Sequence, residues 1–192
     1  MNKKIILPAF VILCLAQLYI PYNMISRKEK VWTQGKEFRF KTEPIDPSDP
    51  FRGKYINLSF AESSIVVPNA DDWIEGNPIY VNLGEDEKGF AKILSASKEK
   101  PEGTDFVEAV TGYVYSDSTT NVTIHFPFDR FYMEESKAYN AELAYAESAR
   151  DTMQITYALV AVKDGDAVVK DVLINGIPIR EVAKNYKENQ FE

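Results

Sequence analysis

The 192-residue sequence contains one cysteine, Cys14, and one histidine, His125. A single cysteine excludes a disulfide within the chain. One cysteine and one histidine are also too few ligands for the usual Cys/His zinc sites. Lysine and arginine total 22 residues against 29 aspartates and glutamates, a formal charge of −7. Because nucleic-acid binding depends on clustered basic residues that neutralise phosphates, we expect no nucleic-acid partner. The sequence has no glycine-rich phosphate-binding loop, and its acidic runs lack EF-hand spacing, so we expect no cofactor and no metal.

Apolar and aromatic residues are abundant by contrast. Hydrophobic residues make up 45% of the chain and aromatic residues 12%. Disordered chains are poor in both classes, because they cannot bury enough apolar surface to fold. A chain of this length is typical of one domain and can build a substantial core. The composition therefore predicts a single folded domain.

The N-terminus carries a long apolar segment. Residues 5–20 include one polar side chain, Gln17. Extended to residue 26, the segment would form about 33 Å of helix, which matches a hydrocarbon core of about 30 Å. A cleaved signal peptide is the alternative, because two lysines precede the segment, but no A-x-A-like cleavage pattern follows it. We therefore favour an uncleaved signal-anchor, a transmembrane helix within residues 1–26 that contacts membrane lipid.

The orientation of this helix is predicted from its flanking charges. Two lysines precede it, and Arg27, Lys28 and Lys30 follow it, so the charge balance is nearly even. A short basic N-terminus before a single span usually stays inside, which directs residues 27–192 out of the cytoplasm. That part has 20 basic and 29 acidic residues, a net charge of −9, and no cysteine. The lack of cysteine suits an oxidising compartment.

Residues 27–180 have the patterns of an antiparallel β domain. Apolar and polar residues alternate in several short segments, which predicts strands at residues 35–42, 54–60, 79–83, 90–97, 106–115, 121–126, 152–162 and 167–174. The last six form three hairpins joined by turn-forming residues. Residues 134–149 lack glycine, proline and β-branched residues, which predicts a helix. The predicted fold is α+β and β-rich, a barrel-like or sandwich domain with one packed helix and a polar C-terminal tail over residues 181–192.

One loop combines two carboxylates with a guanidinium group. Asp46 and Asp49 each precede a proline, which restricts them to extended conformations, and Arg52 and Gly53 follow. These groups could act as an acid/base pair in a hydrolase or bind a polar ligand. They could equally form ion pairs that hold the loop in place. We favour the structural interpretation, because catalytic carboxylates usually line a shaped cleft.

The same segment resembles the signature of the GDYXXLXY protein family. Gly53, Tyr55 and Leu58 match the signature. Lys54 stands where the family has an aspartate, and Phe60 stands where it has its last tyrosine. The likeness therefore covers the glycine, the first tyrosine and the leucine of the motif.

Two further blocks extend the resemblance to roughly residues 35–180. Residues 128–135, which include Arg130, are similar to the family's second recurring block, and residues 171–176 are similar to its closing strand and turn. The resemblance implies a bacterial membrane protein, often encoded beside polytopic membrane proteins, and implies no particular activity. The candidate binding or motif residues are Asp46, Asp49, Arg52, Gly53, Tyr55, Leu58 and Arg130.

These observations favour a non-enzymatic function. We expect a membrane-anchored extracytoplasmic accessory or binding module that works with a polytopic membrane protein; the alternative is an extracytoplasmic hydrolase that uses Asp46 and Asp49. His125 shares a strand face with polar neighbours, which predicts a solvent-facing residue rather than a catalytic base. No Gly-x-Ser-x-Gly motif is present, so we expect no catalytic residue. Three aromatic residues before the predicted helix could pack in the core or line a partner groove, and we favour the core for Phe128, Phe131 and Tyr132.

Overall fold

A computed structural model of the chain describes residues 3–43, 55–102, 105–116, 119–151 and 153–188. These residues contain three helices, α1 (Lys3–Gln34), α2 (Glu135–Arg150) and α3 (Ile179–Glu188). They also contain twelve strands: β1 (Lys36–Glu43), β2 (Tyr55–Asn57), β3 (Ser59–Phe60), β4 (Ser64–Val67), β5 (Pro78–Glu85), β6 (Ala91–Ser97), β7 (Phe106–Ser116), β8 (Thr120–His125), β9 (Arg130–Tyr132), β10 (Thr156–Lys163), β11 (Asp166–Ile174) and β12 (Ile177–Pro178). The α+β, β-rich fold is confirmed.

The strands form two five-stranded sheets and one two-stranded ribbon. The first sheet has the order β12-β11-β10-β1-β3, the second has the order β4-β8-β7-β5-β6, and β2 pairs with β9. Neighbouring strands are antiparallel, and the three predicted hairpins are confirmed as β5–β6, β7–β8 and β10–β11. A bridge between Val107 of β7 and Gly165 in the β10–β11 turn joins the two sheets. The arrangement therefore approaches a closed, barrel-like sheet.

A cluster of phenylalanine rings fills the core between the sheets. Phe40 of β1 is 1% exposed. Its ring centroid lies 5.3 Å from that of Phe60, 5.4 Å from that of Phe126 and 5.1 Å from that of Phe128. Such ring pairs contribute about 0.5–1.5 kcal/mol each beyond the area they bury. The cluster fixes β3 and the segment before β9 against β1, and so positions the β2–β9 ribbon.

Helix α2 lies where the sequence predicts the packed helix. It packs against α3, β2 and β10. Its buried face includes the small side chains of Ala138, Ala141 and Ala144, which allow close approach, together with Tyr145 and Ser148. A buried hydrogen bond of 2.9 Å, in which the Thr156 hydroxyl donates to the Ser148 hydroxyl, ties the end of α2 to β10.

Helix α3 is a correction to the prediction of one packed helix and a loose tail. The tail prediction is wrong for residues 181–188, because they continue α3, which packs against α2. Ile179 and Ala183 are buried, and Val182 is partly buried against the core. These three positions lie on one face of a helix. The charged residues around them give the segment a polar composition, so composition alone does not predict this apolar face.

The predicted strand at residues 54–60 is divided in the structure. Tyr55–Asn57 pairs with β9, whereas Ser59–Phe60 pairs with β1. Between them the backbone N–H of Leu58 donates to the carbonyl oxygen of Asp129 at 2.8 Å. The segment therefore crosses from the ribbon to the first sheet.

Helix α1 extends well beyond the predicted span. It has 32 residues, so the domain boundary expected after residue 26 falls inside the helix. The part from Leu7 to Gln34 is long and apolar enough to cross a membrane, and its most apolar stretch has no buried residue. A hydrocarbon core of about 30 Å takes up about 20 helical residues. About eight residues, or roughly 12 Å of helix, remain to connect this span to β1.

Candidate membrane-proximal binding site

The structure describes part of the predicted site. Asp46, Asp49, Arg52 and Gly53 lie outside the described residues, so their ion-pair and hydrolase interpretations stay predictions. Leu58 is buried and 5% exposed, and it therefore belongs to the core. Tyr55 and Arg130, which are distant in the sequence, are brought together in the ribbon.

The β2–β9 ribbon places these two residues side by side. Tyr55 pairs with Tyr132 across the ribbon, and the two ring centroids are 5.5 Å apart. The guanidinium carbon of Arg130 lies 5.1 Å from the centroid of the Tyr55 ring, a cation–π distance. The described part of the first sequence block, from residue 55 onward, and the block at residues 128–135 therefore meet in one structural unit.

The local contacts keep Arg130 charged. A hydrogen bond with the Tyr132 side chain, followed by the nearby Asp129 carboxylate, raises the pKa of the Arg130 guanidinium above its usual value. The distance from Arg130 Nε to Asp129 Oδ1 is 3.8 Å, longer than a hydrogen bond. Arg130 is therefore a permanent cation at the protein surface, with an ion-pair partner that it contacts only loosely.

The match to a protein family covers both of these blocks. The sequence model for the GDYXXLXY protein matches residues 17–172, most of the chain. The chain belongs to the GDYXXLXY protein family. No curated protein and no solved structure matches it significantly.

The signature residues of this GDYXXLXY protein have different structural roles. Tyr55 is half-buried in the ribbon, where Arg130 stacks on it. Leu58 and Phe60 are buried, and the Phe60 ring belongs to the phenylalanine cluster. Of the described signature positions Tyr55, Leu58 and Phe60, Tyr55 is the one that is not buried.

The end of α1 is held against the domain by an ion-pair cluster. Arg27 Nη2 and Lys28 Nζ contact the two carboxylate oxygens of Asp166 at 2.8 Å and 2.9 Å. Partial burial raises the pKa of Asp166, but the hydrogen bonds from Lys28 and Arg27 outweigh it, and the net pKa lies below its usual value. One turn further, Val31 is buried and 3% exposed. Helix α1 is therefore attached to the domain by both charge and packing.

A groove lies beside this attachment, between α1, β9, β11 and α3. We call it the juxtamembrane groove. It has a volume of about 360 Å³, and its described lining includes four basic residues and no acidic residue. Six of its lining residues are charged or aromatic side chains from the four elements: Lys28, Trp32, Arg130, Phe131, Lys170 and Arg180.

Aromatic rings hold the cations of this groove in place. Lys170 Nζ lies 5.5 Å from the Trp32 ring centroid, and the Arg180 guanidinium lies 5.3 Å from the Phe131 ring centroid. Lys170 is also paired with Glu37 at 2.6 Å, and Lys28 with Asp166. Arg130 and Arg180 are the cations of the groove whose guanidinium groups are presented on aromatic faces at the surface.

The aromatic residues before α2 have two roles. Phe128 and Phe131 are 4% and 3% exposed, which confirms their prediction as core residues, and both also border the groove. Tyr132 is 61% exposed, so the core prediction is wrong for this residue. The reason is strand alternation, because Phe131 faces the core and its neighbour must face outward.

The prediction that His125 faces solvent is confirmed. Its side chain is exposed and ends the polar face of β8. It borders a pocket of about 230 Å³ that also contains Ser63 and Asp129, but no hydrogen bond in the described part of the chain joins these three residues. The described residues also contain no cluster of three metal-ligating side chains.

Most residues of the groove are not predicted by any sequence motif. Trp32, Lys170 and Arg180 lie outside the recurring blocks of the family and far from each other in the sequence. One signal was available: a tryptophan shortly after an apolar span is typical of a membrane interface. No comparable local pattern marks Lys170 or Arg180.

Proposed function

We propose that this protein is a single-pass, membrane-anchored binding module whose domain lies outside the cytoplasm and works with an integral-membrane partner. The observation that carries the proposal is the continuity of α1. One helix contains the apolar span and also packs into the domain through Val31 and the Asp166 ion pairs. The domain is therefore held at a fixed distance from the membrane surface.

The surface of the span supports a partner in the same membrane. Large apolar side chains are exposed around the helix, for example Leu15, Leu18 and Ile20 at 62%, 67% and 62%. They can contact lipid or another transmembrane helix, while the attached domain faces the partner's extramembrane loops. The hydrolase alternative stays a sequence prediction, because Asp46 and Asp49 are outside the described residues.

The orientation is tested by labelling one introduced cysteine. Cys14 is replaced by alanine, and Glu87, which is exposed in the β5–β6 turn, is replaced by cysteine. We expect a membrane-impermeant maleimide to label Glu87→Cys in cells whose outer envelope has been permeabilised while the cytoplasmic membrane stays intact. Labelling that requires lysis of the cytoplasmic membrane would contradict the proposed orientation.

The partner is tested by photo-cross-linking in native membranes. A photoreactive amino acid replaces Leu15, Leu18 or Ile20, which point in three directions around α1. We expect at least one position to give a defined adduct with a protein of several transmembrane spans, identified by mass spectrometry. The matched control is the same amino acid at Lys92, an exposed position on β6. The partner hypothesis fails if all three span positions give only lipid adducts.

A further inference from the structure

We propose that the juxtamembrane groove binds the headgroup of an anionic phospholipid, with an acyl chain lying along the apolar surface of α1. The inference rests on the membrane anchoring proposed above and adds a ligand class to it. Three observations carry it: the position of the groove relative to the end of the apolar span, its continuity with the surface of α1, and its positive charge.

The groove lies at the depth of the lipid headgroups. If residues 7–26 cross the hydrocarbon core, Lys28 and Trp32 lie about 3 Å and 9 Å beyond it, at about 1.5 Å per residue. The polar layer on each side of a bilayer is roughly 5–8 Å thick. Lys28 and Trp32 therefore span this layer, and tryptophan is enriched there in membrane proteins.

The groove is continuous with the lipid-facing surface of α1. A second, predominantly apolar recess of about 700 Å³ is lined by Met24, Ile25, Lys28, Glu29, Trp32 and Val168. It shares Lys28, Trp32 and Val168 with the juxtamembrane groove. Met24 and Ile25 are 64% and 66% exposed at the end of the apolar span. An amphiphile can therefore place a chain against these two residues while its polar end reaches the groove.

The charge of the groove selects an anion. Residues 27–192 carry a net charge of −9, yet the described groove lining has four basic residues and no acidic one. Lys28 and Lys170 hold carboxylates at 2.9 Å and 2.6 Å, whereas Arg130 meets the Asp129 carboxylate only at 3.8 Å. Arg130 and Arg180 are therefore the groups best placed to bind a phosphate. A guanidinium group matches phosphate oxygens with two parallel hydrogen bonds. An anionic phospholipid fits both features, because its phosphate can bind the cationic end and its acyl chain can lie in the apolar recess beside α1. An acidic protein segment would match only the cationic end.

The test uses the intrinsic fluorescence of Trp32 in the full chain. Trp73 is replaced by phenylalanine, which leaves Trp32 as the one tryptophan. The protein is placed in nanodiscs that contain increasing fractions of phosphatidylglycerol or phosphatidylcholine, each brominated near the acyl carbonyl. We expect phosphatidylglycerol to quench Trp32 at a much lower mole fraction than phosphatidylcholine.

Two matched double variants separate the groove from general charge effects. Arg130→Gln with Arg180→Gln removes the two proposed phosphate ligands, and Arg39→Gln with Lys92→Gln removes two exposed cations elsewhere. A basic residue near an anionic surface is worth about fivefold in affinity. We therefore expect the arginine pair to lower the preference for phosphatidylglycerol about 25-fold, with little change in the control pair. Thermal unfolding of each variant shows that its fold is retained.

The outcomes distinguish this inference from the anchoring on which it rests. Equal quenching by the two lipids in the Trp73→Phe protein would overturn the headgroup site and leave the anchoring intact. An equal loss of preference in the two double variants would also overturn it, because net charge would then be the cause. Absence of quenching by either lipid would instead contradict the anchoring itself.

Discussion

At the scale of single residues, Gly35 controls how helix α1 joins the domain. Its backbone N–H donates to the carbonyl oxygen of Val31 at 2.9 Å, where α1 ends and β1 begins. A Cβ atom at this position would lie 2.5 Å from Val31 O and 3.0 Å from Val162 O. Both are backbone atoms, so the clash is relieved only if the backbone shifts where α1, β1 and β10 meet.

Replacement of Gly35 by alanine is therefore expected to destabilise the protein. We predict a loss of about 1–3 kcal/mol in the free energy of unfolding, the usual cost of overpacking. The measurement is chemical denaturation of the full chain in detergent.

Gly84→Ala is the matched control for this prediction. Its Cβ would lie 2.9 Å from the Leu94 side chain, whose exposed end can move aside. We expect a change within about 0.5 kcal/mol, typical of surface substitutions. Equal losses in the two variants would show that the close backbone approach at Gly35 is not the cause.

At the scale of elements, the attachment of α1 to β11 depends on the charge of Asp166. The carboxylate is paired with Arg27 and Lys28, and its pKa lies below the usual value. A group whose pKa is lowered on folding stabilises the protein above its unfolded pKa, near 3.9 for aspartate. That contribution disappears as the pH falls through the lowered folded pKa.

Asp166→Asn should therefore weaken the attachment in a pH-dependent way. Because both cations are largely exposed, we predict a loss of about 0.2–1 kcal/mol in the free energy of unfolding at neutral pH. Amide hydrogen exchange should become faster in residues 27–34. The stability difference from the wild type should stay constant between about pH 7 and 5, begin to shrink near pH 4, and vanish below the lowered folded pKa of Asp166.

Asp164→Asn serves as the control, because Asp164 is an exposed carboxylate in the same turn. It should leave exchange in residues 27–34 unchanged. A stability difference for Asp166→Asn that widens on acidification would contradict the proposed role of the carboxylate.

The elements that the sequence predicts well are those defined by local patterns. Helix α2 and the three hairpins follow from residue spacing and from turns within a few residues of each strand. Helix α3 and the division of residues 54–60 were missed, because both depend on distant partners: α2 for the helix, and β9 and β1 for the two strands.

At the scale of the whole molecule, the difference between local patterns and contacts of distant segments explains which parts of the site could be predicted. The apolar segment of α1 is visible in composition alone, and Arg130 lies in a recognisable block. The juxtamembrane groove assembles Lys28, Lys170 and Arg180 from α1, β11 and α3. No local pattern in the sequence predicts that these residues meet, because their proximity follows from the packing of α1 on β11 and of α3 beside β9.

The central claim is that α1 remains part of the mature protein and holds the domain at the membrane. The most direct measurement is alkaline carbonate extraction of native membranes, followed by intact mass and N-terminal analysis. We predict that the protein stays in the membrane fraction, is released by detergent, and retains residues 1–34 apart from removal of the initiator methionine. Release into the soluble fraction with a new N-terminus near residue 27 would contradict the account.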